Sequence, residues 1–213
     1  MDISLTNEEV RVLGALLEKK MATPEYYPLS LNGLVNACNQ KVNRSPVVTY
    51  EESTVLAALE GLRTKQLVWI NHSGRVIKYK EAMVESLEFA RDQAAVMCIL
   101  LLRGPQTVGE IRARTDRLHG FGELAEVHQT LDSLGDLELV EQCPRQPGQK
   151  EARFCQLLGP RVEDASDSGW SMPEPSESVD PDRIVELEEK VTALDEELNT
   201  LKQAFEQFKR QFE

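Results

Sequence analysis

The sequence predicts a mainly α fold with small β hairpins, an α+β chain in which one small unit is laid down twice and followed by a long C-terminal helix. Three observations predict it. Leucine-rich helical stripes recur at fixed offsets, a strand–turn–strand pattern follows the third helix of each copy, and residues 183–213 carry a heptad seam.

In the first copy, Thr6 and Glu9 have capping-box spacing, with Leu5 and Val10 placed as a hydrophobic staple, so a helix starts near Asn7. It buries Val10, Leu13, Leu16 and Leu17 and ends around Lys19-Lys20, where cations suit a C-terminus. Tyr26-Tyr27-Pro28-Leu29 reads as extended, since Pro28 biases Tyr27 away from helix. Ser30 caps a short second helix, buried through Leu31, Leu34, Val35 and Cys38. A polar loop from Asn39 to Pro46 leads to another capping box, Thr49 and Glu52, and to a third helix burying Val55, Leu56, Leu59 and Leu62. Leu67 to Ile70 and Val76 to Tyr79 then flank a turn at Asn71 to Gly74.

The order returns. Val96, Met97, Leu100 and Leu101 stand 84 residues after Val12, Leu13, Leu16 and Leu17, whereas Val127, Leu131 and Leu134 stand 72 after Val55, Leu59 and Leu62. The second copy is therefore 12 residues shorter between its first and third helices. Thr107 and Glu110 open its second helix, with Ile111 inward, and its hairpin runs from Leu137 to Cys143 and from Glu151 to Leu158. Helix, short strand, helix, loop, helix and hairpin is the order of a winged helix. The expected domains are winged-helix domain 1 over 1–83, winged-helix domain 2 over 84–158, an acidic disordered linker over 159–182 and a coiled-coil helix over 183–213. Within the linker, Trp170 and Met172 read as an isolated exposed pair or a short docking motif.

Asp180-Pro181 caps the last helix, in which Ile184, Leu187, Val191, Leu194, Leu198, Leu201, Phe205, Phe208 and Phe212 alternate steps of three and four. Ile184 and Val191 at a with Leu187 and Leu194 at d predict a parallel homodimer; packing of the same stripe on the chain's own domains is the alternative.

Charge narrows the function classes. The net charge is −12, but residues 1–83 carry 10 basic and 9 acidic side chains, residues 84–159 carry 8 and 12, and residues 160–213 carry 6 and 15. Most of the net negative charge, −9 of −12, sits in the tail, leaving the first copy free to present a basic face. No stretch approaches the roughly 20 apolar residues that cross a bilayer, and the N-terminus lacks the basic and apolar regions of an export signal, so a cytoplasmic protein without membrane contact is expected. The four cysteines have no metal-type spacing: Cys38 and Cys98 fall on apolar helical faces and Cys143 and Cys155 in strands, as buried free thiols. His72, His119 and His128 form no ligand cluster, so neither metal nor other cofactor is expected. No nucleophile, base and orienter can be nominated, and no small-molecule substrate is evident, which argues against an enzyme.

Several long motifs look familiar. Leu16-Leu17-Glu18-Lys19, Thr23 to Ser30, Ala37 to Val47, Leu100 to Thr107 and Pro147 to Glu151 resemble the YceH-like family of uncharacterised bacterial proteins over roughly residues 5–158. The resemblance implies a tandem winged-helix fold and no established activity, substrate or cofactor. Phe154-Cys155-Gln156 lacks the histidine that the family pattern places after the aromatic, so no role resting on it carries over.

Two functions remain. As a DNA-binding protein with a regulatory role, the chain would use Lys41, Asn43 and Arg44 before the third helix, and Arg75, Lys78 and Lys80 on the wing. In the second copy the matching residues are Arg112, Arg114, Arg117, Arg145 and Lys150. Yet the third helices carry Glu51, Glu52 and Glu60, and Glu123, Glu126 and Asp132, which repel phosphate. The alternative is a protein-binding scaffold, for which acidic third helices and a coiled coil are well suited.

Overall fold

The computed structural model describes residues 3–72, 76–144 and 151–160. The linker beyond residue 160, Trp170, Met172 and the whole heptad seam from Ile184 to Phe212 lie outside them.

The first half opens with α1 (Asn7–Ala22), held by the reciprocal cap: Thr6 Oγ1 accepts from Glu9 N at 3.2 Å, and Glu9 Oε2 accepts from Thr6 N at 2.8 Å. A 3-10 turn, Pro24–Tyr26, replaces the extended start expected there; Pro24 occupies the first helical position, where its missing N–H costs nothing. Strand β1 (Leu29–Ser30) follows, and Ser30 caps α2 (Leu31–Cys38) by accepting from Gly33 N at 3.3 Å. Helix α3 (Glu52–Thr64) starts two residues later than a cap at Thr49 would place it, and not by that cap. Thr49 is exposed, Glu51 is the N-cap and its side chain makes no cap bond. The entry is fixed from a distance instead, by Asn39, which donates to Tyr50 O at 2.9 Å and accepts from Tyr50 N at 2.7 Å. Leu56, expected inside, is 43% exposed.

Strands β2 (Val68–Asn71) and β3 (Lys78–Glu81) pair antiparallel, with Ile70 opposite Tyr79, and β1 adds to the far edge of β3 through Leu29 opposite Tyr79. The hairpin lies one and two residues later than expected, leaving Val76 and Ile77 exposed. A short helix, α4 (Met83–Ser86), not foreseen in the sequence, is capped by the Glu81 carboxylate, which accepts from Val84 N at 3.1 Å.

The second half repeats the order: α5 (Arg91–Arg103), β4 (Gln106–Thr107), α6 (Val108–Thr115), α7 (Leu124–Asp136), β5 (Val140–Gln142) and β6 (Arg153–Gln156). Its sheet order, β4-β6-β5, mirrors β1-β3-β2. Thr107 and Glu110 close the expected capping box. Leu137, expected in a strand, is the C-cap of α7. The two third helices stop by the same device. Gln66 and Glu138 adopt left-handed backbone (φ 60° and 57°), and the following leucines, Leu67 and Leu139, donate back to Leu62 O at 2.9 Å and Leu134 O at 3.0 Å.

The two halves share one continuous apolar core, which runs from Leu5 to Leu158 in sequence. Its centre is the crossing of α1 and α5. Residues 9–17 of α1 and 94–102 of α5 are buried all round, because each helix packs on its own half and on the other. Gly14 makes the crossing close: a Cβ there would stand 2.9 Å from Leu102 Cδ2 and 3.1 Å from Leu101 Cβ. Backbone bonds seal the seam on both sides, from Ser45 N to Leu102 O at 2.9 Å and from Leu5 N to Leu158 O at 2.7 Å. Contacts divide the chain after Asp164, so every described residue belongs to the first part.

Candidate functional site

The C-terminal ends of α1, α5 and α6 converge on a groove of about 860 Å³, closed on one side by the loop after α2. Helix C-termini carry partial negative charge and favour cations in their last turns. Lys19, Arg103 and Arg114 stand in such turns, and Lys41 and Arg117 complete the cationic lining. Glu18 and Asp116 are the carboxylates among the lining residues.

The loop is shaped by Arg44. Its side chain is wholly buried and forks onto Glu18, with Nη1 to Oε1 at 3.1 Å and Nη2 to Oε2 at 2.7 Å. It also donates to Ala37 O, Asn43 O and Gln40 Oε1. Burial pushes the Glu18 carboxyl up, but the hydrogen bonds and charge of Arg44 outweigh it and leave the group below its ordinary 4.5. Held this way, the loop turns through Asn43, at φ 65°, a conformation asparagine tolerates better than most residues. Asn43 Oδ1 in turn accepts a short hydrogen bond from Arg103 Nη2.

Arg103 is the unusual member. Its Nε is buried and has no acceptor among the described residues, and no carboxylate pairs with its guanidinium there. Burial lowers its pKa, and the charges of Arg114 and Arg44 lower it further. Arg103 thus feels the repulsion of two neighbouring guanidiniums, Arg114 in the groove and Arg44 behind it. Glu18 answers Arg44, and Arg114 shares Glu110 with Arg153, at 3.4 and 2.8 Å.

Of the residues nominated from the sequence, Lys41, Asn43, Arg114 and Arg117 meet in this groove although the first and last stand 76 positions apart in the chain. Arg44 is a correction. It is 4% exposed and its charge is spent on Glu18, so it shapes the loop and offers nothing to a ligand. Arg112 is tied to Phe121 O and Gly122 O at the foot of the α6–α7 loop. Lys78 and Lys80 lie on β3, away from the groove lining, and Lys80 pairs with Glu85 at 2.6 Å. Arg75, Arg145 and Lys150 fall outside the described residues. Sequence reasoning missed Lys19 and Arg103, and the signal was present: the two are 84 residues apart, the same offset that relates the apolar stripes of α1 and α5.

The exposed faces of the third helices are different in character. On α3 they show Glu52, Leu56 and Glu60, the last paired with Arg63 at 2.5 Å; on α7 they show Leu124, Glu126, His128 and Asp132. Near α3, Trp69 of β2 is 54% exposed, as are Val76 and Ile77 to similar degree. Burial raises the thiols of Cys38, to about 12, and of Cys98, so neither ionises in ordinary conditions. Among the described residues no group of three or more His, Cys, Asp or Glu side chains could hold a metal ion, and no helix is long and apolar enough to cross a membrane.

Comparison with known proteins adds relatives. A family described as "Protein of unknown function, DUF480" matches residues 5–149. The chain is 50% identical over 214 residues to a UPF0502 protein of Solibacter usitatus and 49% over 219 residues to one of Pelobacter propionicus, in each case across the whole of both chains. A UPF0502 protein of Geobacter sulfurreducens is 46% identical over 219 residues, again across both chains.

Proposed function

The chain belongs to the DUF480 family, and on that premise we propose that it is a non-catalytic, macromolecule-binding protein of tandem winged-helix build that grips nucleic acid by its phosphates. The winged-helix reading is supported by the order helix, strand, helix, helix, hairpin, found twice with the first strand added to the same edge each time. One observation carries the function: in a chain of net charge −12, five cationic side chains drawn from both halves line one groove against two carboxylates, one of them already neutralised by Arg44. Such local positive potential, rather than net charge, is what meets a phosphate backbone.

The acidic faces of α3 and α7 define the kind of binding. Side chains that read base edges donate to guanine or adenine, and Glu52, Glu60, Glu126 and Asp132 instead repel the flanking phosphates. Binding is therefore sequence-tolerant and dominated by counterion release. Titrating the purified chain against mixed duplex DNA tests this. Five phosphate contacts give a log–log salt slope near about −4.5, and absence of binding at ~50 mM salt, well below the physiological ~0.15 M, overturns the reading.

A protein-docking function has its own observation in favour. Leu56, Trp69, Val76 and Ile77 stay exposed on α3 and the first hairpin beside the acidic helix face, a composition that suits a partner protein better than a duplex. Capture of a protein at that surface, with no duplex binding, selects this second reading. In either case the heptad helix from Ile184 to Phe212 joins two copies of the chain. Ending the chain before Asp180 is expected to halve the mass measured by light scattering, and an unchanged mass contradicts tail-driven dimerisation.

A further inference from the structure

We infer that Arg103 and Arg114 form a discrete phosphate subsite on the inner wall of the groove, anchored by the Arg103 guanidinium, which no carboxylate among the described residues pairs. The inference deepens the nucleic-acid reading by naming its innermost contact, and rests on it only for where the phosphate comes from.

A buried N–H without an acceptor is destabilising, more so when the group is charged, and native structures leave few such groups unpaired. Arg103 Nε is one of two buried side-chain polar atoms without a partner among the described residues. Its Nη2 donates to Asn43 Oδ1, and Asn43 belongs to the loop that Arg44 and Glu18 lock in place, so the guanidinium is positioned at the groove wall.

Charge points the same way. Arg114 and Arg44 lie near enough to disfavour the charge on Arg103, and Glu18 and Glu110, which favour it, are already engaged by Arg44 and by Arg114 with Arg153. An unanswered positive charge therefore remains, half-buried, at the groove wall. A phosphate group supplies what is missing: up to two negative charges and several acceptor oxygens with the geometry that a guanidinium fork matches. Lys41 and Arg117 line the same groove and add attraction, and Asp116, among its other lining residues, opposes it. The chemistry recognised is a phosphate group, whether on a nucleic-acid backbone or on a small phosphorylated molecule, and the test separates the two sources.

The test uses the full chain. Thermal unfolding is followed with inorganic phosphate and with sodium chloride at matched ionic strength, and duplex binding is titrated in parallel, for the wild type, R103Q, R103K and R114Q, with R63Q as a control away from the groove. Phosphate is expected to raise the melting temperature of the wild type and R63Q in a concentration-dependent manner that chloride does not reproduce. R103Q and R114Q each weaken phosphate binding about tenfold or more, and R103K, which keeps the charge but loses the fork, falls nearly as far. If R103Q also weakens duplex binding and reduces the salt slope by about one, the subsite is supported and its phosphate is a backbone phosphate. If phosphate stabilises through Arg103 but the chain binds no duplex, the subsite is supported as a site for a free phosphorylated molecule and the nucleic-acid reading falls. If phosphate acts no better than chloride, or stabilises R103Q and R103K as strongly as the wild type, the subsite is overturned even where duplex binding persists.

Discussion

The two halves share a plan and differ in their loops. The starts of α1 and α2 are 24 residues apart in the first half (Asn7 to Leu31) and 17 in the second (Arg91 to Val108). Those of α2 and α3 are 21 apart (Leu31 to Glu52) against 16 for α6 and α7 (Val108 to Leu124). The extra residues of the first half are the Pro24–Tyr26 turn with the segment to β1, and the loop around Lys41 to Val48. The loop reaches the other half through Ser45 N on Leu102 O and through Asn43, which accepts from Arg103, while Arg44 on Glu18 braces it within its own half. The 23–30 segment stays within the first half, where Tyr27 Oη accepts from Glu81 N at 2.5 Å. The motifs that mark the family, Thr23 to Ser30 and Ala37 to Val47, lie in these same insertions. The duplicated helices α1 and α5 thus form the crossing, and a loop that was not duplicated closes one edge of it.

The largest test of that contrast is to separate the halves. Residues 1–83 and 84–160 expressed alone each expose one side of the α1–α5 crossing, and neither is expected to show a cooperative urea transition; two stable halves would break the picture of a shared core. Next is Arg44→Ala, which strands Glu18 in the interior and has no counterpart in the second half. A loss of about 3–5 kcal/mol, read from urea midpoints, is expected. The pH dependence carries the sign. Because the folded Glu18 carboxyl lies below its ordinary 4.5, its contribution is present above that value and disappears as pH falls through the folded one. The stability gap between wild type and Glu18→Gln is therefore widest near neutrality and closes in acid, and a gap constant with pH would remove the ion pair from the account.

Smaller effects separate seam from repeat. Gly14→Leu overfills the crossing against Leu101 and Leu102 and is expected to cost about 1–3 kcal/mol; Leu102→Ala in the same chain should return part of it. Gln66→Gly and Glu138→Gly relieve the same left-handed residue at the end of the two third helices. Both are expected to leave stability unchanged or raise it by up to about 1 kcal/mol, and to the same extent. Unequal shifts would show that the two helix ends, alike in geometry, carry different loads.

Local features were legible because their physics is local. Thr6 with Glu9, Ser30, and Thr107 with Glu110 each cap the helix that their spacing announces, and the stripes through Leu13, Leu59, Leu100 and Leu131 point inward. The failures come where distant chain decides. Thr49 has the right spacing for a cap, but Asn39 already holds the backbone of Tyr50, so the helix begins without it. Leu56 has the right period and faces outward, since nothing packs over that part of α3. The hairpin slid by one to two residues because the strands take register from Leu29 and Tyr79, not from the turn. At the candidate site, cationic residues could be nominated from charge and loop position, yet burial removed Arg44 and convergence added Lys19 and Arg103.

By itself, then, the sequence determined the elements and their repetition, because caps, helical periods and strand alternation act between residues a few positions apart. Tertiary structure decided which charges are answered and which remain open. That outcome depends on α1, α5, α6 and the 39–46 loop meeting at one place, where burial turns one arginine into a strut and leaves another without a partner.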